Sequence, residues 1–254
     1  MTGRLRVVES HARRYRHTWR SSVFTGFVNP AFLLAAMGLG LGSLVDANNG
    51  AGAFSYLAFL APGLLAATAM QTAAGESSYP VMAGIKWIKS YEAALATPIG
   101  IRDLLGGQQI WSMIRVAQVV AAFALVEVLF GALSVRQAAL ATIPALMTGV
   151  AFSPAIAWFT IRLENDSGLA GLFRFGIIPL FLFSGTFFPI SQLPEQMQPL
   201  AVLTPLWHGV EWARDWALGS PPLWPWQWHA TALAAFAVAC FWGAHRALVR
   251  RMIL

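Results

Sequence analysis

His208, Glu211 and Asp215 stand at i, i+3 and i+7, so a helix would carry all three on one face. An imidazole beside two carboxylates is a set that holds a metal or moves protons as acid and base. The same spacing also describes the wetted side of an interfacial helix. The sequence adds no further ligands and no Gly-x-Ser-x-Gly nucleophile turn. Glu127 is a second candidate: it lies near the end of a long apolar run, where charge is costly and often functional. Nucleotide hydrolysis through a phosphate-binding loop is excluded, because that loop needs Gly-Lys-Ser/Thr. The only two lysines are Lys86, after Ile85, and Lys89, after Ile88. The single cysteine, Cys240, leaves no internal disulfide and rules out most cysteine-based metal sites.

The elements that position these residues read as membrane helices. The chain is 57% apolar and 11% charged, against about 25% charged for a soluble domain. Apolar stretches cover 23–45, 56–75, 110–131, 138–161, 174–189 and 226–245. All are close to the roughly 20 residues needed to cross a hydrocarbon core, the fifth being short. Of the 17 basic residues, all but Arg136 and Arg214 fall on the termini or on alternate connections. That asymmetry places both termini in the cytoplasm. The bases are dispersed around the spans, which suits anionic lipid and argues against nucleic acid. Residues 1–22 are too basic for a cleavable signal peptide, so the first span is expected to remain. The expected fold is all-α and integral to the membrane, with six transmembrane helices.

Three connecting segments carry structure of their own. In 1–22, Leu5, Val8, Ala12, Tyr15 and Trp19 recur at spacings of three and four, which predicts an amphipathic interfacial helix lying in the inner headgroup layer. In 76–109, Trp87, Ile88, Tyr91, Ala94 and Leu95 share a helical face. Thr97-Pro98 then reads as N-cap and first helical residue, and Gly106-Gly107 as the close of a second short helix. Exposed apolar residues there need a cover, either lipid headgroups or a soluble partner. The outer connection 190–225 is broken by prolines and rich in tryptophan, as a segment dipping back into the outer interface would be. In the first span, Gly38 and Gly42 form a small-xxx-small pair that permits close helix approach.

Two stretches resemble the permease subunits of type II ABC exporters (ABC-2 type), in the branch of nodulation lipooligosaccharide and daunorubicin-type drug exporters. One is YLAFLAPGLLAATAM at 56–70, followed by ESSYP at 76–80 and YEAALATPIGIRDLLGGQ at 91–108. The other is FLFSGTFFPISQLPEQMQPLAVLTPLWHGVEWAR at 181–214. The resemblance implies a single transmembrane domain over 1–254 in a bacterial cell membrane. Its parts would be the interfacial helix 1–22, spans 1–2 at 23–75, a cytoplasmic coupling segment at 76–109, spans 3–5 at 110–189, an outer re-entrant segment at 190–225, and span 6 with the tail at 226–254. It further implies a second permease subunit, identical or related, and separate ABC ATPase subunits that hold ATP and magnesium, with no cofactor on this chain. Tyr91, Glu92, Thr97, Pro98, Ile99, Arg102 and Asp103 would touch the ATPase. Ser184, Gly185, Phe188, Pro189 and Pro194 would lead the outer segment. The cargo would be amphipathic, a glycolipid, lipid-linked glycan or hydrophobic drug, and the chain itself would not be an enzyme. Two rival readings are an autonomous proton-coupled carrier using Glu127 and an enzyme centred on His208, Glu211 and Asp215.

Overall fold

The computed structural model describes residues 3–47 and 54–252, with several side chains between 21 and 43 left outside the description. The regular secondary structure of the described residues is helical. Helix α1, Gly3–Leu34, runs without a break through the wider turn Ala35–Leu41 into Gly42–Ala47. Then come α2 (Tyr56–Trp87), α3 (Ser90–Leu95), α4 (Ile101–Leu129), α5 (Val135–Arg162) and α6 (Ser167–Phe183). The chain ends with α7 (Gln198–Val202), α8 (Pro205–Leu218) and α9 (Trp226–Met252). Among the described residues four helices, α2, α4, α5 and α9, are long and apolar enough to cross a membrane, and α6 is a shorter apolar helix. The first expected span, 23–45, falls inside the continuous α1 and its extension. Helix α5 is the hub, packed against α2, α4, α8 and α9. It begins in a capping box in which Ser134 and Gln137 satisfy each other's backbone N–H.

The N-terminal segment departs from the sequence reading. It is not a separate helix but the start of the continuous α1, and it lies parallel to α4 in a fixed register. Gly3 meets Asp103, Val7 meets Gly107, His11 stacks on Trp111 and Tyr15 sits under Arg115. The docked stripe is therefore Val7, His11 and Tyr15, while Leu5 and Trp19 of the expected apolar face stay half exposed. A glycine explains the fit: a Cβ on Gly107 would lie 2.5 Å from Val7 Cβ and 2.8 Å from the Arg4 carbonyl oxygen. Gly106-Gly107 therefore does not close a helix, as its composition suggested. It lies inside α4, where the missing side chains admit α1.

The segment 76–109 is also reorganised. Most of it belongs to α2, which bends at Ser78 (φ −99°, ψ −95°) and continues to Trp87, and to α4, which starts at Ile101. Thr97 does not cap a second helix. Its hydroxyl donates to the Ala94 carbonyl at 2.6 Å and so closes α3. Gly100, extended, precedes α4, and Asp103 in the first turn suits the positive helix end. The helix over the fifth expected span ends earlier than the apolar run, at Phe183, because Ser184 and the left-handed Gly185 (φ +80°) turn the chain there.

Candidate functional sites at the two ends

At the basic end, α2 ends at Trp87 and the chain reverses at Lys89, which takes a left-handed conformation (φ +55°). That reversal places α3 back against α2. Tyr91 is buried, its ring over Gly84, where a Cβ would come within 2.5 Å of Cε1. Burial pushes its phenol well above the usual range, so it stays neutral. Tyr91 therefore anchors the segment from inside. The outward-facing positions of the expected ATPase set are Glu92, Thr97, Pro98 and Arg102, with Ile99 and Asp103 partly covered. Asp103 is held by Arg4 of α1 at 3.4 Å. Beside them Trp87 and Ile88 are 55% and 64% exposed, an uncovered apolar pair next to the turn.

Just beneath lies a network of polar side chains that joins four helices, α1, α2, α4 and α5. Arg115 of α4 donates to Glu76 of α2 at 3.0 Å, to Tyr15 of α1 at 2.5 Å and to Gln118 at 2.8 Å. Gln108 donates to the Glu76 carbonyl at 3.0 Å. Ser153 of α5 lies 2.9 Å from Ser77 and from Ser112, and donates to Gln109 at 2.6 Å. Thr160 donates to the Ser77 carbonyl at 3.2 Å. These bonds converge on residues 76 and 77, one or two positions before the bend at Ser78. Buried hydrogen bonds to charged groups are each worth about 1.5–3 kcal/mol, so the bend is fixed in position by its neighbours.

The opposite end is closed by α8 and the turn 184–204. Ser184 and Thr204 hydroxyls lie 2.9 Å apart, and Thr204 caps α8 by accepting from Trp207 N at 3.3 Å. Gly185 is where the turn passes Trp207 and Arg214. Phe188 and Pro189 are half-buried, and Pro189 and Pro194 offer carbonyls to Gln192 and Met197 in the turns that follow. The residue that ties these parts together is Arg214, which sequence reasoning used only as a charge count. It is buried, donates to the Phe59 carbonyl at 3.1 Å and the Thr186 carbonyl at 2.9 Å, and lies 3.7 Å over the Phe59 ring. Tyr56 of α2 adds a bond to the Phe187 carbonyl at 3.2 Å. A buried arginine has no sequence signature beyond the cost of its burial.

The proposed triad does not assemble. His208 turns to His229 of α9, the two Nδ1 atoms 2.9 Å apart, while Glu211 sits 3.7 Å from Arg214. Burial and the neighbouring His229 hold the His208 imidazole down at about 4, so it is neutral at physiological pH. No group of three or more metal-ligating side chains occurs among the described residues. Glu127 is fully buried near the end of α4, and neither carboxyl oxygen has a hydrogen-bond partner among the described residues.

A family model described as ABC-2 type transporter matches residues 7–217. The chain is similar to three proteins called nodulation protein J. It is 29% identical to that of Sinorhizobium fredii (strain NBRC 101917 / NGR234) over 249 residues, 95% of this chain and 92% of the relative. Identity to the Rhizobium meliloti (strain 1021) protein is 28% over 246 residues, with the same two shares of 95% and 92%. With the Bradyrhizobium diazoefficiens protein it is 30% over 250 residues, again 95% and 92%.

Proposed function

Since this chain belongs to the ABC-2 type transporter family, we propose that it is the permease subunit of an exporter driven by a separate ATPase. In this reading it crosses the bacterial cell membrane six times, the first span lying within α1 and the fifth being α6, with both termini cytoplasmic. It works beside a second permease, identical or related. ATP and magnesium belong to the partner, which fits a sequence with no phosphate-binding loop. The cargo is amphipathic, a glycolipid, lipid-linked glycan or hydrophobic drug.

The observation that carries this reading is the 92–98 turn: exposed, flanked by bare Trp87 and Ile88, and seated on the buried Tyr91. ATPase subunits closing on ATP would press on Glu92, Thr97, Pro98, Ile99, Arg102 and Asp103. Tyr91 would then pass the displacement to α2 through its contact with Gly84. Thr97→Ala/Pro98→Ala and Asp103→Asn should each lower both partner ATPase stimulation and export, with membrane insertion unchanged. Full coupling in these variants refutes the assignment.

One observation favours a second reading. The isolated buried carboxyl of Glu127 suits a proton site of an autonomous carrier. Liposomes holding this chain alone would then transport along a proton gradient, and Glu127→Gln would stop them.

A further inference from the structure

We propose that the cleft between α4 and α9 is a binding site for one anionic phospholipid of the inner leaflet. The idea goes beyond export and rests on the proposed reading only for the cytoplasmic placement of the basic end, which binding of the lipid itself does not require. The cleft has a volume of about 1380 Å³ and is walled mainly by one stripe of each helix, with Val150 and Pro154 of α5 between them. The two helices run in opposite directions, so Arg102 of α4 faces Arg250 of α9 at the mouth, and Ala117 faces Ala237 and Val238 at the far end. From residue 102 to residue 117 an α-helix rises about 22 Å. One leaflet is about the same depth: half of a roughly 30 Å core plus a headgroup layer of about 5–7 Å.

Charge and polarity are graded along that depth. Arg102, Arg246 and Arg250 gather at the basic end, and no salt bridge to an acid forms at any of them among the described residues. Arg4, also at the mouth, is already held by Asp103. Arg246 is stacked 3.4 Å over the Trp242 ring, an arrangement that fixes the guanidinium plane and leaves its N–H edge for an oxyanion. Below them the walls are Ile114, Ala117, Val238 and Phe241, and Val238 is 71% exposed. A free phosphate would neutralise the mouth and leave this apolar wall bare. A zwitterionic lipid would cover the wall, but its own cation would oppose the arginines. An anionic lipid satisfies both, as basic pockets between membrane helices on the cytoplasmic side do for acidic headgroups.

The test uses the full chain, purified in detergent, stripped of lipid and titrated with phosphatidylglycerol or phosphatidylcholine while retained lipid is read by native mass spectrometry. Phosphatidylglycerol should bind in preference to phosphatidylcholine, and millimolar inorganic phosphate should not displace it. Arg246→Gln/Arg250→Gln should weaken retention at least about tenfold, as expected for two basic contacts. Val238→Trp, at an exposed position, should weaken it comparably by filling the cleft without touching charge. Arg6→Gln/Arg16→Gln, which removes two exposed arginines outside the cleft, should leave retention unchanged. Equal binding of both lipids, displacement by phosphate, retention by both cleft variants, or an equal loss in the control pair would each overturn the proposal. Loss in Val238→Trp with an unchanged melting temperature supports it even where the double arginine variant is poorly folded.

Discussion

The docking of α1 on α4 makes a sharp contrast between two adjacent glycines. At Gly107 an added methyl would meet Val7 Cβ at 2.5 Å and the Arg4 carbonyl oxygen at 2.8 Å. Unstrained carbon contacts lie at about 3.5–4.0 Å, so roughly 1 Å of relief is needed. Neither contact can give way by a rotamer change, since one atom is a Cβ and the other is helix backbone. The relief has to come from moving α1 as a body. Overpacking of this kind costs about 1–3 kcal/mol, and the rigid contacts place Gly107→Ala near the top of that range. The gain of about 1 kcal/mol in helix propensity offsets part of this, leaving a net loss of about 2 kcal/mol. At Gly106 the nearest atoms are the flexible Arg4 side chain at 3.3 Å. That side chain can swing away, so Gly106→Ala should be neutral or slightly stabilising. Unfolding by SDS in mixed micelles, with proteolysis of the N-terminal segment as a second readout, separates the two. Gly107→Ala should unfold earlier and release residues 3–15 to protease. A Gly107→Ala chain as stable and as protected as Gly106→Ala would refute the docked arrangement.

Tyr91→Ala should cost about 3 kcal/mol locally, raise hydrogen exchange over 90–100 and lower ATPase stimulation, whereas Tyr91→Phe keeps the ring and should preserve all three. Arg214→Met leaves the Phe59 and Thr186 carbonyls without their donor. A loss of about 2–4 kcal/mol is expected, read as a fall in Tm. His11 is held at about 4, first by burial and then by Arg14, so its neutral form belongs to the docked state. The undocked segment protonates near 6.5 and the docked one does not. Docking is therefore full above pH 6.5 and weakens as pH falls from there toward 4. Protease release of α1 should rise on acidification from pH 7 to 5, and His11→Gln should flatten that dependence.

Much of the helical framework was legible because apolar length is a direct physical requirement of lipid. The runs at 56–75, 138–161 and 226–245 lie within long helices of the structure, and 110–131 does so up to Leu129, where α4 ends. What failed was the reading of local punctuation. Thr97-Pro98 looks like a helix start, yet the Thr97 hydroxyl is more favourably used on the Ala94 carbonyl. Gly106-Gly107 looks like a helix end, because sequence alone does not distinguish a glycine that terminates from one that admits a neighbour. The face of α1 was misplaced for a related reason. His11 counts as polar in any periodicity, but stacked on Trp111 it packs as an apolar ring. Arg214 was invisible as a structural residue, since its value comes from carbonyls 28 and 155 positions away in the chain.

Helix α2 is the element through which the two ends can communicate. Its first turn holds the cap formed by α8 and 184–204, through Tyr56 to the Phe187 carbonyl and through the Phe59 carbonyl to Arg214. Its last turns carry Gly84, on which Tyr91 rests. Between them Leu60 to Ala67 is buried without interruption, so the helix cannot bend there without opening the core. Its α-helical course breaks at Ser78, before the wider turn Ala83–Trp87, and the bonds to Glu76, Ser77 and Arg115 hold that break on α1, α4 and α5 at once. Pressure on the 92–98 turn therefore has two routes. It is absorbed at the Ser78 bend if those bonds yield, or it reaches the cap as a shift of the whole helix if they hold. Glu76→Gln weakens the holding bonds without removing the helix. It should leave ATPase docking intact and uncouple hydrolysis from export, an outcome that damage to the turn itself would not give.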